Sequence, residues 1–159
     1  MSAALEILLG QYQGERALGC HLLLMQLCRT IEQRLVQVCL LAAEVHERGH
    51  WSKVRRADNR PYESEEAYFT EVLGVMSFRS AAKRIAIGRL IQSLPEGERE
   101  PVAEALADLK IAKATVLLPA IEGADRQERE RWFAEAKKLP INDLQAAVSK
   151  HPEAKPRGR

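Results

Sequence analysis

The sequence predicts an all-α protein, and three observations support that prediction. Aliphatic residues, mainly Ala and Leu, are plentiful, while aromatic residues make up only 5% of the 159 residues and glycines number nine. Apolar residues recur at helical spacing along most of the chain, and no useful length alternates with the period of two that a half-buried strand requires. We therefore expect a long N-terminal helix followed by a multi-helix helix-turn-helix domain.

Residues 15–48 are predicted to form one long helix, because neither Pro nor Gly follows Gly19 until Gly49. At about 1.5 Å per residue this helix would extend about 50 Å, which is more than a small domain needs. Part of it could therefore pack against a second copy, or the whole helix could be buried in its own monomer. Its apolar stripe consists of Leu24, Leu27, Cys28, Ile31, Leu35, Val38 and Leu41.

The remaining elements follow from capping and turn residues. Residues 1–50 form a helical arm in this interpretation, 51–63 an exposed basic loop, 64–150 the helix-turn-helix domain and 151–159 a disordered basic tail. Ser64 is a good N-cap for a short helix, which Gly74 ends, and Ser77 can cap the next helix. Further helices are expected over 98–109 and 111–121, after Asp125, and after Pro140.

The three cysteines, Cys20, Cys28 and Cys39, lie near one face of a helix and have no paired metal-ligand spacing. We interpret them as buried structural thiols in a reducing compartment. No signal peptide opens the chain, and the most apolar run is too short to cross a bilayer. These features predict a cytoplasmic protein that does not contact a membrane.

The segment His46-Glu47-Arg48-Gly49-His50 fits the zinc-peptidase pattern HExxH. That motif requires two imidazoles one helical turn apart, but here Gly49 stands where the helix should end, and Arg48 places a cation inside the motif. We therefore reject a metal site at His46 and His50, and a zinc peptidase remains only a remote alternative. No Gly-rich phosphate loop or nucleophile elbow occurs either, so we expect no enzymatic activity and no cofactor.

The stretch from Val72 to Pro95 contains four cations and no carboxylate, whereas the rest of the chain mixes its charges. Two helices joined through Gly74-Val75-Met76 have the outline of a helix-turn-helix, whose second helix enters the DNA major groove. On a helical wheel, Ala81, Ala82 and Ile85 would anchor that helix on the domain. Carboxylates on a face that meets phosphates would repel them, which explains why this stretch has none.

The chain after this stretch resembles the DNA-binding domain of the ParB/KorB partition-protein family. The matching features are Ile91-Gln92-Ser93-Leu94-Pro95 at the end of a recognition helix, Ala114 before Leu117-Leu118, and the final segment LPINDLQAAV. The likeness covers roughly residues 64–150 and lacks the family's nucleotide-binding domain with its arginine-rich box. The preceding CLLAAEVHERG also looks like the lead-in helix of small helix-turn-helix proteins of bacterial mobile elements.

This resemblance implies a protein that binds double-stranded DNA as a partition-site binder or transcriptional repressor of a plasmid or prophage. We expect a homodimer through the N-terminal helix, associated with the nucleoid or a plasmid. The alternative is a helical adaptor whose protein partner lies along the apolar stripe of residues 20–45. The DNA contacts that the resemblance implies are Ser77, Arg79, Ser80, Lys83 and Arg84, with support from Lys110 and Lys113. The further cations expected at phosphates are Arg89, Lys53, Arg55, Arg56 and Arg60.

Overall fold

The computed structural model describes residues 16–28, 35–74 and 77–151, and the chain divides into two compact units, Met1–Ser93 and Leu94–Arg159. Among these residues all regular elements are helical, apart from an isolated bridge between Arg55 and Pro61. The all-α prediction is therefore confirmed. None of the helices in the described ranges has the length and apolar character needed to cross a membrane.

Among its described residues, the first unit contains four α-helices and a short 3₁₀ turn. They are α1 (Arg16–Cys28), α2 (Leu35–Arg48), the 3₁₀ turn (His50–Lys53), α3 (Glu65–Leu73) and α4 (Phe78–Ser93). The second unit contains α5 (Glu96–Ala107), α6 (Ile111–Ile121), α7 (Arg126–Lys138) and α8 (Ile141–Ser149). The helix-turn-helix domain was predicted to begin at residue 64. Its first two helices, α3 and α4, belong to the same unit as α1 and α2.

The prediction of one continuous helix over residues 15–48 was wrong. Arg16 Nε lies 2.7 Å from Glu44 Oε1, whereas an unbroken helix would separate these residues by about 42 Å. Instead α1 and α2 pack side by side, which buries Leu24 and Leu41 within the unit. Burying both apolar stripes against each other removes more apolar surface from water than a single extended helix could. Residues 29–34, between the two helices, and the side chains of Leu27 and Cys28 lie outside the described part.

Several of the predicted signals that end and begin helices are confirmed, whereas the helix predicted over 98–109 spans Glu96–Ala107. Gly49 adopts a left-handed conformation with φ 62° directly after α2, and Gly74 does the same with φ 60° after α3. The Ser64 hydroxyl accepts a hydrogen bond from the Ala67 amide at 3.1 Å. In the second unit the Asp125 carboxylate accepts one from the Glu128 amide at 2.8 Å. These caps fix the ends of helices that tertiary packing then arranges.

Helices α2 and α4 make the most extensive helix pair of the first unit. Gly88 of α4 lies so close to α2 that a Cβ atom built on it would come 2.1 Å from the Cys39 carbonyl oxygen and 2.9 Å from the Ala43 Cβ. Cys39 is fully buried there, and burial raises the pKa of its thiol to about 12. For Cys39 this agrees with the interpretation of a buried structural thiol.

A cluster of aromatic rings joins α1 to α3. The His21 ring is buried, and its Nδ1 lies 3.2 Å from the Tyr68 hydroxyl. The Tyr62 and Tyr68 rings meet edge to face with centroids 4.9 Å apart. Burial lowers the pKa of His21, which the Glu71 carboxylate counteracts only in part.

Acidification is expected to destabilise the first unit through His21. Because its pKa is lower in the folded state, the unfolded chain takes up a proton first as the pH falls below about 6.5. The contribution of His21 to stability is complete above that pH and is lost between it and the lower folded-state pKa. Histidine-ring NMR should give a midpoint for His21 below about 6.5, and a midpoint at or above it would contradict this expectation. In urea unfolding, His21→Asn should reduce the loss of stability on acidification.

In the second unit, α6 packs against both α7 and α8. Its buried residues include Val102, Leu106, Leu117, Ile121, Trp132, Phe133 and Leu144. His151 belongs to this packing: its ring meets the Trp132 ring edge to face, and its Nε2 lies 2.9 Å from Glu128 Oε1. The prediction that the disordered tail begins at residue 151 was therefore wrong for His151, and residues 152–159 lie outside the described part.

Candidate nucleic-acid interface

The exposed side of α4 is cationic at its N-terminal half. Arg79 and Ala82 are exposed, and Lys83 and Ala86 are partly exposed. Their spacing of three and four residues places them along one face of the helix. Ala81 and Ile85, on the opposite side, are buried. Ala82 was predicted to anchor the helix, and its exposure corrects that assignment, because the buried face follows Ala81 and Ile85 towards Gly88.

Arg79 and Lys83 are the two cations of α4 best placed to meet a ligand. They are one helical turn apart, and in the described part of the chain neither has an ion-pair partner. Ser77 is exposed just before the helix, and Ser80 is half-buried within its first turn. We name the surface formed by Ser77, Arg79, Ser80 and Lys83 the α4 basic face. Ala82 between these cations and Ala86 beyond Lys83 present only methyl side chains, so a large ligand could approach the helix closely.

Two other predicted contacts on α4 have partners within the protein. A guanidinium nitrogen of Arg84 donates to the Ser80 carbonyl oxygen at 2.8 Å, and its Nε is buried. Arg89 Nε lies 2.8 Å from Glu47 Oε1, in a pair exposed to solvent. Arg84 therefore stabilises its own helix, and Arg89 has a carboxylate beside it that would repel a phosphate. The structure thus offers fewer cations on α4 than the sequence suggested.

The basic loop contains an ordered turn that is mostly exposed, whereas Val54 and Tyr62 at its two sides are buried in the core of the unit. The Arg56 amide donates to the Arg60 carbonyl oxygen at 2.9 Å, and the Asn59 amide donates to the Arg56 carbonyl oxygen at 2.9 Å, in a turn in which Asn59 has φ 66°. Arg55 donates to the Asn59 carbonyl oxygen at 3.1 Å, while Lys53 is exposed. Arg56 is paired with Glu71 at 3.0 Å, and Arg60 lies 3.8 Å from Asp58. Exposed pairs of this kind are weak and can exchange partners.

The two supporting lysines of the second unit differ in their surroundings. Lys110 is exposed at the beginning of α6. The Lys113 ammonium donates to the Ala136 carbonyl oxygen at 2.7 Å, close to the end of α7. A cation there satisfies a carbonyl group near a helix C-terminus, where the backbone dipole is negative. Lys113 was therefore wrongly predicted to be available to phosphates, whereas Lys110 is accessible.

The HExxH segment has its three functional side chains engaged with three different partners. His46 Nδ1 lies 2.7 Å from Glu65 Oε1, and His50 Nε2 lies 3.3 Å from Glu44 Oε1. Glu47 is paired with Arg89. Because Gly49 turns the backbone out of the helix, His50 enters the 3₁₀ turn rather than the face that His46 occupies. The segment does not bring its imidazoles together in the manner of a zinc peptidase.

No protein-family model, curated protein or solved structure matches this chain. The likeness to the ParB/KorB domain therefore stays a prediction from the residues quoted above.

Sequence reasoning missed an exposed apolar stripe on α1. Leu18, Leu22 and Met25 are 47%, 41% and 43% exposed, and their spacing places them on one side of the helix. The predicted docking stripe of residues 20–45, by contrast, is largely buried, since Leu24, Val38 and Leu41 have no exposed surface. The apolar residues of α1 occur on both sides of the helix, so periodicity could not show which side would be covered.

A groove in the second unit was also not predicted. It has a volume of about 310 Å³ and lies between α5 and α7. Val102 and Phe133 form part of its floor, and the ion pair of Arg129 with Glu98 borders it. Only the packing of α5 on α7 brings these residues together, so their spacing in the sequence carries no signal.

Proposed function

We propose that this protein binds double-stranded DNA without catalysing a reaction, through the α4 basic face. The observation that carries the proposal is the pair Arg79 and Lys83, which project from a helix without carboxylates and have no ion-pair partner in the described residues. Ala82 between them and Ala86 beyond Lys83 add little bulk, so a backbone or base edge could come close to α4. Buried Ala81 and Ile85 anchor the opposite side.

In this mechanism, cations neutralise phosphates and release counterions, and the hydroxyl groups of Ser77 and Ser80 add hydrogen bonds. Lys53, Arg55 and Arg60 supply further exposed positive charge in the same unit. A partition-site binder or a repressor of a plasmid or prophage would work in this way, associated with the nucleoid or a plasmid. We expect Arg84, Arg89 and Lys113 to contribute little, because each already has a partner within the protein.

The proposal includes a homodimer that uses the exposed stripe of Leu18, Leu22 and Met25. Two copies paired along α1 would cover apolar side chains that a single chain leaves in water. A two-fold dimer would read a palindrome whose half-sites are spaced by whole turns of DNA. The same stripe also favours the second candidate function, a helical adaptor that binds another protein and has no affinity for DNA.

The DNA-binding proposal predicts that Arg79→Ala or Lys83→Ala weakens binding about tenfold or more, since a good base contact contributes ~1–3 kcal/mol. Fluorescence anisotropy with genomic-library and random duplexes, titrated over salt, measures this. Arg89→Ala, on the same helix but paired with Glu47, should have a smaller effect. Arg126→Ala, which removes an exposed arginine from α7, should leave affinity unchanged.

Weak binding that is equal for the wild type and for both α4 variants would contradict the proposal. An absence of salt-dependent binding would favour the adaptor, since phosphate contacts necessarily make affinity fall as salt rises. Light scattering on the same samples reports the oligomeric state.

A further inference from the structure

Three metal-ligating side chains meet inside the first unit, away from the α4 basic face. Cys20 comes from α1, Glu44 from α2 and His50 from the 3₁₀ turn. One ligand atom of each lies within 4.8 Å of the other two. Cys20 is fully buried, and Glu44 and His50 are 4% and 6% exposed. We propose that these three residues form a binding site for a zinc(II) ion.

The donor set matches zinc. Thiolate sulfur, imidazole nitrogen and carboxylate oxygen are the ligands that Zn²⁺ takes in proteins, with three protein ligands and an open fourth position in many sites. For Zn–N and Zn–O bonds of about 2.0–2.1 Å at a tetrahedral angle, the nitrogen and oxygen would be about 3.3 Å apart. Glu44 Oε1 and His50 Nε2 are 3.3 Å apart, which is long for a hydrogen bond to a carboxylate.

The His50 ring has an unsatisfied polar atom at this site. Its Nδ1 is buried and has no hydrogen-bond partner among the described residues. A buried polar atom in that state destabilises the fold unless it gains a partner. If Nδ1 binds the ion and Nε2–H donates to Glu44, both ring nitrogens are satisfied. If Nε2 binds the ion instead, the tetrahedral spacing is the one already present, and Nδ1 stays without a partner.

The charged groups at the site are the Glu44 carboxylate and the Arg16 guanidinium that pairs with it. Arg16 Nε donates to Glu44 Oε1 at 2.7 Å, and a hydrogen bond of this kind orients a ligating carboxylate. The Glu44 carboxylate and a Cys20 thiolate would face both zinc and the Arg16 guanidinium, so the occupied site would carry a net charge of about +1, and binding would release the thiol proton. The ion would link α1, α2 and the 3₁₀ turn, and would thereby add its binding free energy to the stability of the unit.

Cobalt(II) titration of the full-length protein tests the site, because a thiolate ligand gives a charge-transfer absorption in the near ultraviolet. We expect saturation at one ion per chain with this absorption, and displacement of cobalt by zinc. Cys20→Ala and His50→Gln should each weaken binding about tenfold or more. Cys39→Ala, which removes another buried thiol of the same unit, should bind as the wild type does. Zinc should raise the melting temperature of the wild type but not that of Cys20→Ala.

A cobalt spectrum without the thiolate band, or full affinity in Cys20→Ala, would overturn the proposal. So would the lack of saturable binding to the wild type at about 100 μM cobalt, because structural zinc sites bind much more tightly. Circular dichroism establishes whether each variant folds. If both variants fail to fold, the wild-type spectrum and stoichiometry decide the question.

Discussion

Replacing Gly88 by alanine is expected to lower the free energy of unfolding of the first unit by about 2–3 kcal/mol. The added Cβ would meet the Cys39 carbonyl oxygen at 2.1 Å, and neither atom belongs to a flexible side chain. Overpacking of a core costs typically 1–3 kcal/mol, and contact with rigid backbone belongs at the upper end. The higher helix propensity of alanine offsets only about 1 kcal/mol of this loss of stability. Helices α2 and α4 would have to separate to accept the substitution.

Urea unfolding followed by tryptophan fluorescence measures this effect. The chain has two tryptophans, Trp51 in the first unit and Trp132 in the second, so a Trp132→Phe background reports on the first unit alone. Gly97→Ala is the matched control, because a Cβ there meets nothing within 4 Å. That variant lies in the second unit, so its stability is followed through Trp132 in a Trp51→Phe background, where it should be neutral or should gain up to about 1 kcal/mol. Equal stability of Gly88→Ala and the parent protein would show that α2 and α4 are not in close contact.

Arg129→Met is expected to lower the free energy of unfolding of the second unit by about 2–3 kcal/mol. Arg129 is 5% exposed, donates to the Ala124 carbonyl oxygen and is paired with the Glu98 carboxylate. Methionine fills similar space but leaves that carbonyl and carboxylate without their donor. Breaking a buried pair typically costs 3–5 kcal/mol. The Glu98 side chain is 33% exposed, so water compensates part of the loss.

Trp132 fluorescence in a Trp51→Phe background reports on this unit. Arg126→Met is the matched control, since Arg126 lies on the same helix but forms an exposed pair with Glu130, and it should change stability by less than about 0.5 kcal/mol. Adding Glu98→Gln to Arg129→Met should restore part of the stability, because no carboxylate is then left unpaired. A loss no larger than that of Arg126→Met would indicate that the Arg129 pair contributes little.

The positions at which helices begin and end could be predicted because they depend on neighbouring residues. Gly49 and Gly74 take the left-handed conformation that glycine tolerates best, and Ser64 and Asp125 satisfy amides of their own first turns. For α5 the structure places the first residue at Glu96, two residues before the predicted start, directly after Pro95. Such signals act over three or four residues and need no knowledge of the rest of the fold.

The availability of a cation could not be predicted, because it depends on residues far away in the chain. Arg89 meets Glu47 from α2, and Lys113 meets the Ala136 carbonyl of α7. Nothing in the sequence distinguishes Arg89 and Lys113 from Arg79 or Lys83. The fold thus reduced a set of candidate contacts on α4 to the α4 basic face.

The sequence by itself determined the helical class, most helix ends and the absence of acids along α4, since each of these is a local property. Only the tertiary structure decided that residues 16–48 contain two helices packed together and that α4 packs on α2 at Gly88. It also decided that Cys20, Glu44 and His50 meet. These outcomes depend on which apolar faces cover one another, and burial of surface is a property of the whole packed unit.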